Sequence, residues 1–292
     1  MLRFYYVILI SIPYIIYYLT KMNYMARHMN RFPEPRAYKT FRRLVRQIMI
    51  NARIRTKAYG MEKLPAEGGY AMYPNHQGKY DTIGIVYSHD KPCTVVMDAK
   101  RSTMPLANEV IEVSRGFRLD KTNMRSQVEV MSRVQKDLEA GRKIIIFPEG
   151  GYFHNRNNVQ DFMPGAFKPA MRAKVPIVPV ALIDSYKPFE LNSIRKVTTK
   201  VYYLDPLYPE DYEGLNTRQV ADIVRNRIIA AMKEALGLTD LDTQTHEETV
   251  KDLRAQEVET WKREKNEIVD DKMEFGDVIE TLKEDIHKNE EK

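Results

Sequence analysis

Cysteine occurs once in the 292 residues, at Cys93. An internal disulfide and a cysteine-rich metal site are thereby excluded, and the usage fits a reducing compartment. Cys93 precedes Thr94-Val95-Val96, a setting for a small buried apolar side chain. Acid is scarce from Lys21 to Lys57, where Glu34 stands alone among many Lys and Arg. Charge of either sign is missing between Arg3 and Lys21. No small-residue cleavage site follows that uncharged run, which argues against a secretory leader. Nothing resembles a nucleic-acid reading motif, so the basic stretch points away from nucleic acid. No internal repeat and no zinc-ligand spacing is evident.

What is present first is a run of apolar and aromatic residues, FYYVILISIPYIIYYL, from Phe4 to Leu19. It sits at the short end of the roughly 17–25 residues that span a bilayer. Pro13 should kink a helix here, and the tyrosines suit an interface, each ring being apolar with a polar tip. The run reads as a membrane anchor, either spanning or lying in the interface. Tyr38, Phe41, Leu44, Val45 and Ile48 then recur at helical spacing with Arg42, Arg43 and Arg46 between them. That pattern fits a basic amphipathic helix on an anionic membrane surface, its basic side cytoplasmic. A helix packed on the domain with a solvated basic face is the other reading. The last fifty residues are dense in charge of both signs, as in an exposed helix or partly disordered tail.

From about Arg53 strands and helices alternate. Strands are expected at 54–59, 70–73, 94–97, 117–119, 143–147, 177–183 and 199–204. Asn123 should cap a helix ending at Gly141; further helices are expected at 166–174 and 217–236. The fold class is α/β: a mixed, mostly buried sheet flanked by helices, with an N-terminal membrane-associated helical segment and a charged C-terminal tail. The expected division is 1–52 anchor and basic helix, 53–240 catalytic domain, 241–292 tail.

Four segments carry candidate chemistry. Asn75-His76-Gln77-Gly78-Lys79-Tyr80-Asp81 follows a strand, so His76 belongs at the sheet rim. If Gly78 lets the chain turn, Asp81 can bind one imidazole nitrogen and leave the other as a proton acceptor. By spacing alone, a structural pair is the stronger reading. Phe147-Pro148-Glu149-Gly150-Gly151 ends a β-branched run; its glycines allow close approach to a ligand, and Glu149 could accept from substrate hydroxyls. Arg115-Gly116-Phe117-Arg118-Leu119-Asp120-Lys121 gathers three cations around a short strand, as a phosphate site does. Val175-Pro176-Ile177-Val178-Pro179-Val180 is an apolar strand that structure alone explains, or that lines an acyl channel.

In this order the four segments resemble the lysophosphatidic acid acyltransferases, the 1-acyl-glycerol-3-phosphate acyltransferase family, over about Arg53 to Leu207. The family shows Asn-His-(four residues)-Asp, a Gly-led segment ending in Arg, Phe-Pro-Glu-Gly, and a Val-Pro-Ile-Val-Pro strand. The resemblance implies acyl transfer from acyl-CoA or acyl carrier protein to lysophosphatidic acid, giving phosphatidic acid. It implies His76 as general base, Asp81 as its orienting partner, and Glu149 and Gly150 in acceptor placement. Asn75, Arg115, Arg118, Lys121, Gly151 and Arg156 join them as expected substrate contacts. No metal and no cofactor beyond the acyl donor are expected; the expected partners are anionic membrane lipids and the lysophospholipid, not nucleic acid. Two positions depart from the family: Lys121 stands where Arg is usual, and Gly151-Tyr152 where Thr-Arg is common. Both bear on the acceptor's phosphate, and leave another lysophospholipid or membrane lipid as the alternative acceptor; outside catalysis, the alternative is a non-catalytic membrane-binding scaffold.

Overall fold

The computed structural model describes residues 2–28, 30–104, 107–152, 155–191, 193–239 and 243–244. Residues 1–244 form one compact unit. The expected charged tail lies outside the described residues, apart from Thr243–Gln244.

In chain order the helices are α1 (Leu2–Arg27), α2 (Glu34–Asn51), α3 (Asp81–Ser88), α4 (Ala107–Val113), α5 (Met124–Glu139), α6 (Lys168–Ala173), α7 (Lys187–Glu190) and α8 (Thr217–Leu236). The strands are β1 (Ile54–Tyr59), β2 (Tyr70–Pro74), β3 (Cys93–Asp98), β4 (Phe117–Leu119), β5 (Lys143–Ile145), β6 (Val159–Gln160), β7 (Ile177–Ile183), β8 (Val197–Tyr203) and β9 (Thr243–Gln244). Seven of the strands make one sheet, ordered β1-β8-β7-β2-β5-β3-β4. All neighbours are parallel except β7 and β8, so the sheet is mixed as expected. β6 and β9 pair separately, so two residues of the expected tail, Thr243 and Gln244, lie in a strand.

Both faces of the sheet are covered, which is why its strands read as continuous apolar runs. Along β2, Ala71 and Tyr73 join one core cluster while Tyr70 and Met72 join the other. β7 alternates in the same way and is buried throughout. α5, α6 and α8 cover the first face; α2, α3 and α4, with part of α1, cover the second. Local signals set the helix ends. Asn123 caps α5 by accepting from Ser126 N–H, and Asn216 with Gln219 forms a capping box on α8, closed by Gly237 in the left-handed conformation. Each such cap is worth about 1 kcal/mol.

α1 runs unbroken through Pro13. No described helix is long and apolar enough to cross a membrane. Ser11, Pro13 and the tyrosines dilute the hydropathy of the run. α1 instead divides by face. Val7, Ser11, Met22 and Met25 are buried, whereas Leu9, Ile10, Ile12, Tyr14, Ile16 and Tyr17 are exposed. Ser11 Oγ accepts from the side chain of Asn51 on α2 at 2.8 Å. α2 carries the amphipathic pattern as expected, burying Tyr38, Phe41, Leu44 and Val45.

Candidate active site

The topology explains how distant segments meet. β2, β5, β3 and β4 are parallel neighbours, so the residues after each strand emerge at one rim. His76 follows β2, Phe147–Gly151 follows β5, Arg101 follows β3 and Lys121 follows β4.

Asp81 opens α3. Its Oδ2 accepts from the main-chain N–H groups of Gln77 at 2.6 Å and Gly78 at 2.9 Å. The same oxygen lies 2.6 Å from His76 Nδ1. The turn between the motif's ends is therefore closed by the carboxylate itself. With Nδ1–H donating to Asp81, Nε2 is left as the proton acceptor. Aromatic contacts fix the ring further: Phe147 stacks on it at 4.2 Å and Tyr152 meets it edge-on at 4.7 Å. The His76 side chain is 17% exposed, so the imidazole is sheltered but reachable.

The main chain of His76 is held at both ends. Its N–H donates to Glu149 Oε1 at 3.0 Å, and its carbonyl accepts from Asn155 Nδ2 at 3.1 Å. Glu149 is wholly buried, and its Oε2 accepts from Gln160 Nε2 at 2.6 Å. Burial pushes this carboxyl well above the usual range, against the hydrogen bonds from His76 and Gln160. Gly150 has φ +72°, and a Cβ there would come within 2.6 Å of the Met163 side chain. Gly151 offers its carbonyl to Gln160 Nε2 at 2.9 Å. Asn75 is also wholly buried, and its amide bonds both the carbonyl and the N–H of Leu182 on β7.

The expected cations divide. Lys121 reaches the site loop: its Nζ donates to the Gly150 carbonyl at 2.6 Å and lies 3.5 Å from Asp98. Arg118 turns to Asn108 and Glu112 of α4, and its Nη1 is buried without a hydrogen-bond partner. Arg115 lines a separate cavity with Phe117, Arg133 and Arg142. Arg156 is 71% exposed, 3.8 Å from Glu190. Four contributors fall outside the sequence expectations: Gln77, Asn155, Gln160 and Arg101. The guanidinium of Arg101 lies 5.3 Å from the Tyr152 ring centroid, so one ring separates it from the His76 imidazole. Burial raises the Tyr152 phenol, with Arg101 pulling against it. No spacing pattern marks these residues; only the folded rim brings them together. Among the described residues no group of three or more His, Cys, Asp or Glu is placed to hold a metal ion.

The Acyltransferase family model matches residues 55–183. The chain is 28% identical over 185 residues to 1-acyl-sn-glycerol-3-phosphate acyltransferase alpha of Homo sapiens, covering 62% of this chain and 65% of that relative. It is 26% identical over 182 residues to the 1-acyl-sn-glycerol-3-phosphate acyltransferase of Borreliella burgdorferi, covering 60% and 70%. The match thus spans less than two thirds of the human relative's length. The fold is that of the crystal structure of the 1-acyl-sn-glycerophosphate acyltransferase PlsC from Thermotoga maritima, with TM-score 0.64, 18% identity and coverage of 80% of this chain and 95% of that one. The stretch that matches the Acyltransferase model, residues 55–183, holds the His76–Asp81 pair and the segments after β2, β3, β4 and β5 that form the rim.

Proposed function

We propose that the protein transfers an acyl group from a thioester, on acyl-CoA or acyl carrier protein, to the free hydroxyl of lysophosphatidic acid, forming phosphatidic acid. The observation that carries this is the 2.6 Å contact between His76 Nδ1 and Asp81 Oδ2, which leaves Nε2 free to take a proton. His76 Nε2 takes the hydroxyl proton as the acceptor oxygen attacks the thioester carbonyl. The tetrahedral intermediate collapses with loss of the C–S bond, and the imidazolium returns its proton to the leaving thiolate. The chain provides no acyl-enzyme step in this scheme; its nucleophile is the substrate's own hydroxyl.

Glu149 and Asn75 act as positioning residues, since both are buried and bonded to main chain. Arg101 is linked to His76 through the Tyr152 ring. We assign it, with Lys121, to the acceptor's phosphate. Guanidinium stacked on an aromatic face keeps its donor edge available to an oxyanion. The names of the matched relatives support this acceptor. Tyr152 and Lys121 favour, as a second reading, a lysolipid with a different headgroup.

The protein works at a membrane surface facing the cytoplasm, with the exposed apolar face of α1 entering the interface rather than crossing it. Leu9 at 68% and Ile16 at 61% exposure support this, because soluble surfaces rarely show contiguous apolar patches. Purified protein, a labelled acyl thioester and lysophosphatidic acid test the proposal. Labelled phosphatidic acid and free thiol in equal amounts support it; thiol release without acylated lipid contradicts it.

A further inference from the structure

We propose that α1 and α2 form a second lipid site, separate from the reaction centre, which binds the phosphate headgroup of an anionic phospholipid. The inference rests on the membrane-surface reading but not on the acyl-transfer reaction. A cavity of about 300 Å³ lies between the two helices, with Lys21, Arg36, Lys39 and Arg43 around it and Met25 and Phe32 in its wall. Arg36, Lys39 and Arg43 follow one another at spacings of three and four, so they share one stripe of α2. Among the described residues no carboxylate forms an ion pair with any of the four. Glu34, the one acid in this stretch, is taken by Arg142 at 2.8 Å. A cluster of like charge around one cavity carries mutual repulsion that an anion relieves.

The cations are held in place without neutralisation. The Arg36 guanidinium lies 5.2 Å from the Phe32 ring centroid. Lys21 Nζ lies 5.4 Å from the Tyr17 ring centroid and donates to its hydroxyl at 3.3 Å. Such contacts order the side chains while leaving their charge available.

The ligand is an amphiphile rather than a free anion. Tyr17, Tyr14 and Ile10 precede Lys21 by four, seven and eleven residues, so they continue its stripe along α1. All three are exposed. At 1.5 Å per residue the stripe extends about 16 Å from the cavity, a track for acyl chains beside a headgroup. The cavity admits a headgroup and not a protein surface, which favours lipid over an acidic carrier protein.

The test is binding of a short-chain phosphatidylglycerol, below its micelle concentration, to the full chain without acyl donor or lysolipid. This probe is neither the proposed acceptor nor its product. Arg43→Gln removes a cavity cation, and Arg46→Gln removes an exposed cation three residues further along α2. Both sites are exposed, so unchanged thermal unfolding verifies the fold of each variant. Saturable binding, weakened about tenfold or more by Arg43→Gln and little changed by Arg46→Gln, is expected. Short-chain phosphatidylcholine and inorganic phosphate should bind far more weakly. Equal loss in both variants would reduce the site to a diffuse surface field and overturn the proposal. So would inorganic phosphate binding as tightly as the lipid, or Arg43→Gln weakening acyl carrier protein binding while sparing the lipid. Each result leaves the acyl-transfer reading untouched, since no turnover is measured.

Discussion

Glu149 Oε1 accepts the main-chain N–H of His76 at 3.0 Å, so the acid of one motif holds the histidine of another. The carboxyl is wholly buried and its second oxygen is taken by Gln160. Glu149→Ala strands two donors, at a cost of about 1–3 kcal/mol for each buried group left unsatisfied. Thermal stability and kcat should fall together, while KM for the acceptor stays near its original value. Steady-state kinetics at varied acceptor check this. A raised KM with unchanged kcat would make Glu149 a substrate ligand instead.

The Tyr152–Arg101 pair should govern acceptor choice. Arg101→Ala should raise KM for a phosphate-bearing acceptor about tenfold or more, the scale of a charge-assisted hydrogen bond, with kcat little altered. An acceptor panel with one labelled donor reads the discrimination. If KM is insensitive to Arg101 for every acceptor, the phosphate lies elsewhere on the rim.

His89 sets an acid limit on stability. It is wholly buried, with Nε2 at 2.7 Å from the Tyr70 hydroxyl and Nδ1 at 2.7 Å from the Lys91 carbonyl. Burial lowers its pKa from 6.5 to about 4. Between those values the unfolded chain binds a proton that the folded chain refuses, so stability falls as pH drops from 6.5 towards 4. The loss amounts to roughly 3 kcal/mol. Urea unfolding of the wild type and His89→Gln across this window should show that component only in the wild type. Parallel curves would assign the acid sensitivity to other groups.

The exposed face of α1 should carry membrane attachment. Leu9→Asp with Ile16→Asp alters only exposed positions, so the fold should persist while vesicle cosedimentation falls by about a hundredfold, on the scale of 1.5–3 kcal/mol for each buried apolar side chain. Undiminished cosedimentation would move attachment to another surface.

How much of this was legible in the sequence follows from the range of each signal. β1, β4, β7 and α8 matched their expected bounds because apolar period, caps and flanking Pro or Gly are local. The His76–Asp81 contact is legible too, because both residues lie in one short segment whose turn Asp81 closes by accepting the Gln77 and Gly78 N–H groups. Arg115 and Arg118 were chosen for charge, yet Arg118 pairs with Glu112 and Arg115 lies by another cavity. Proximity in sequence says nothing about which side of a strand a cation leaves. Arg101 was passed over because its link to the site runs through Tyr152, some fifty residues later. Phe4 to Leu19 is apolar by run, but its tyrosines, Ser11 and Pro13 lower its hydropathy, and no described helix is long and apolar enough to cross a membrane.

The most direct measurement of the central claim is the rate of acyl transfer to lysophosphatidic acid by purified His76→Ala, with thermal unfolding recorded on the same sample. The account predicts an unfolding midpoint close to that of the parent and a kcat lower by roughly a hundredfold to ten-thousandfold, the contribution of a positioned general base. A folded His76→Ala protein that turns over at the parent rate would contradict it.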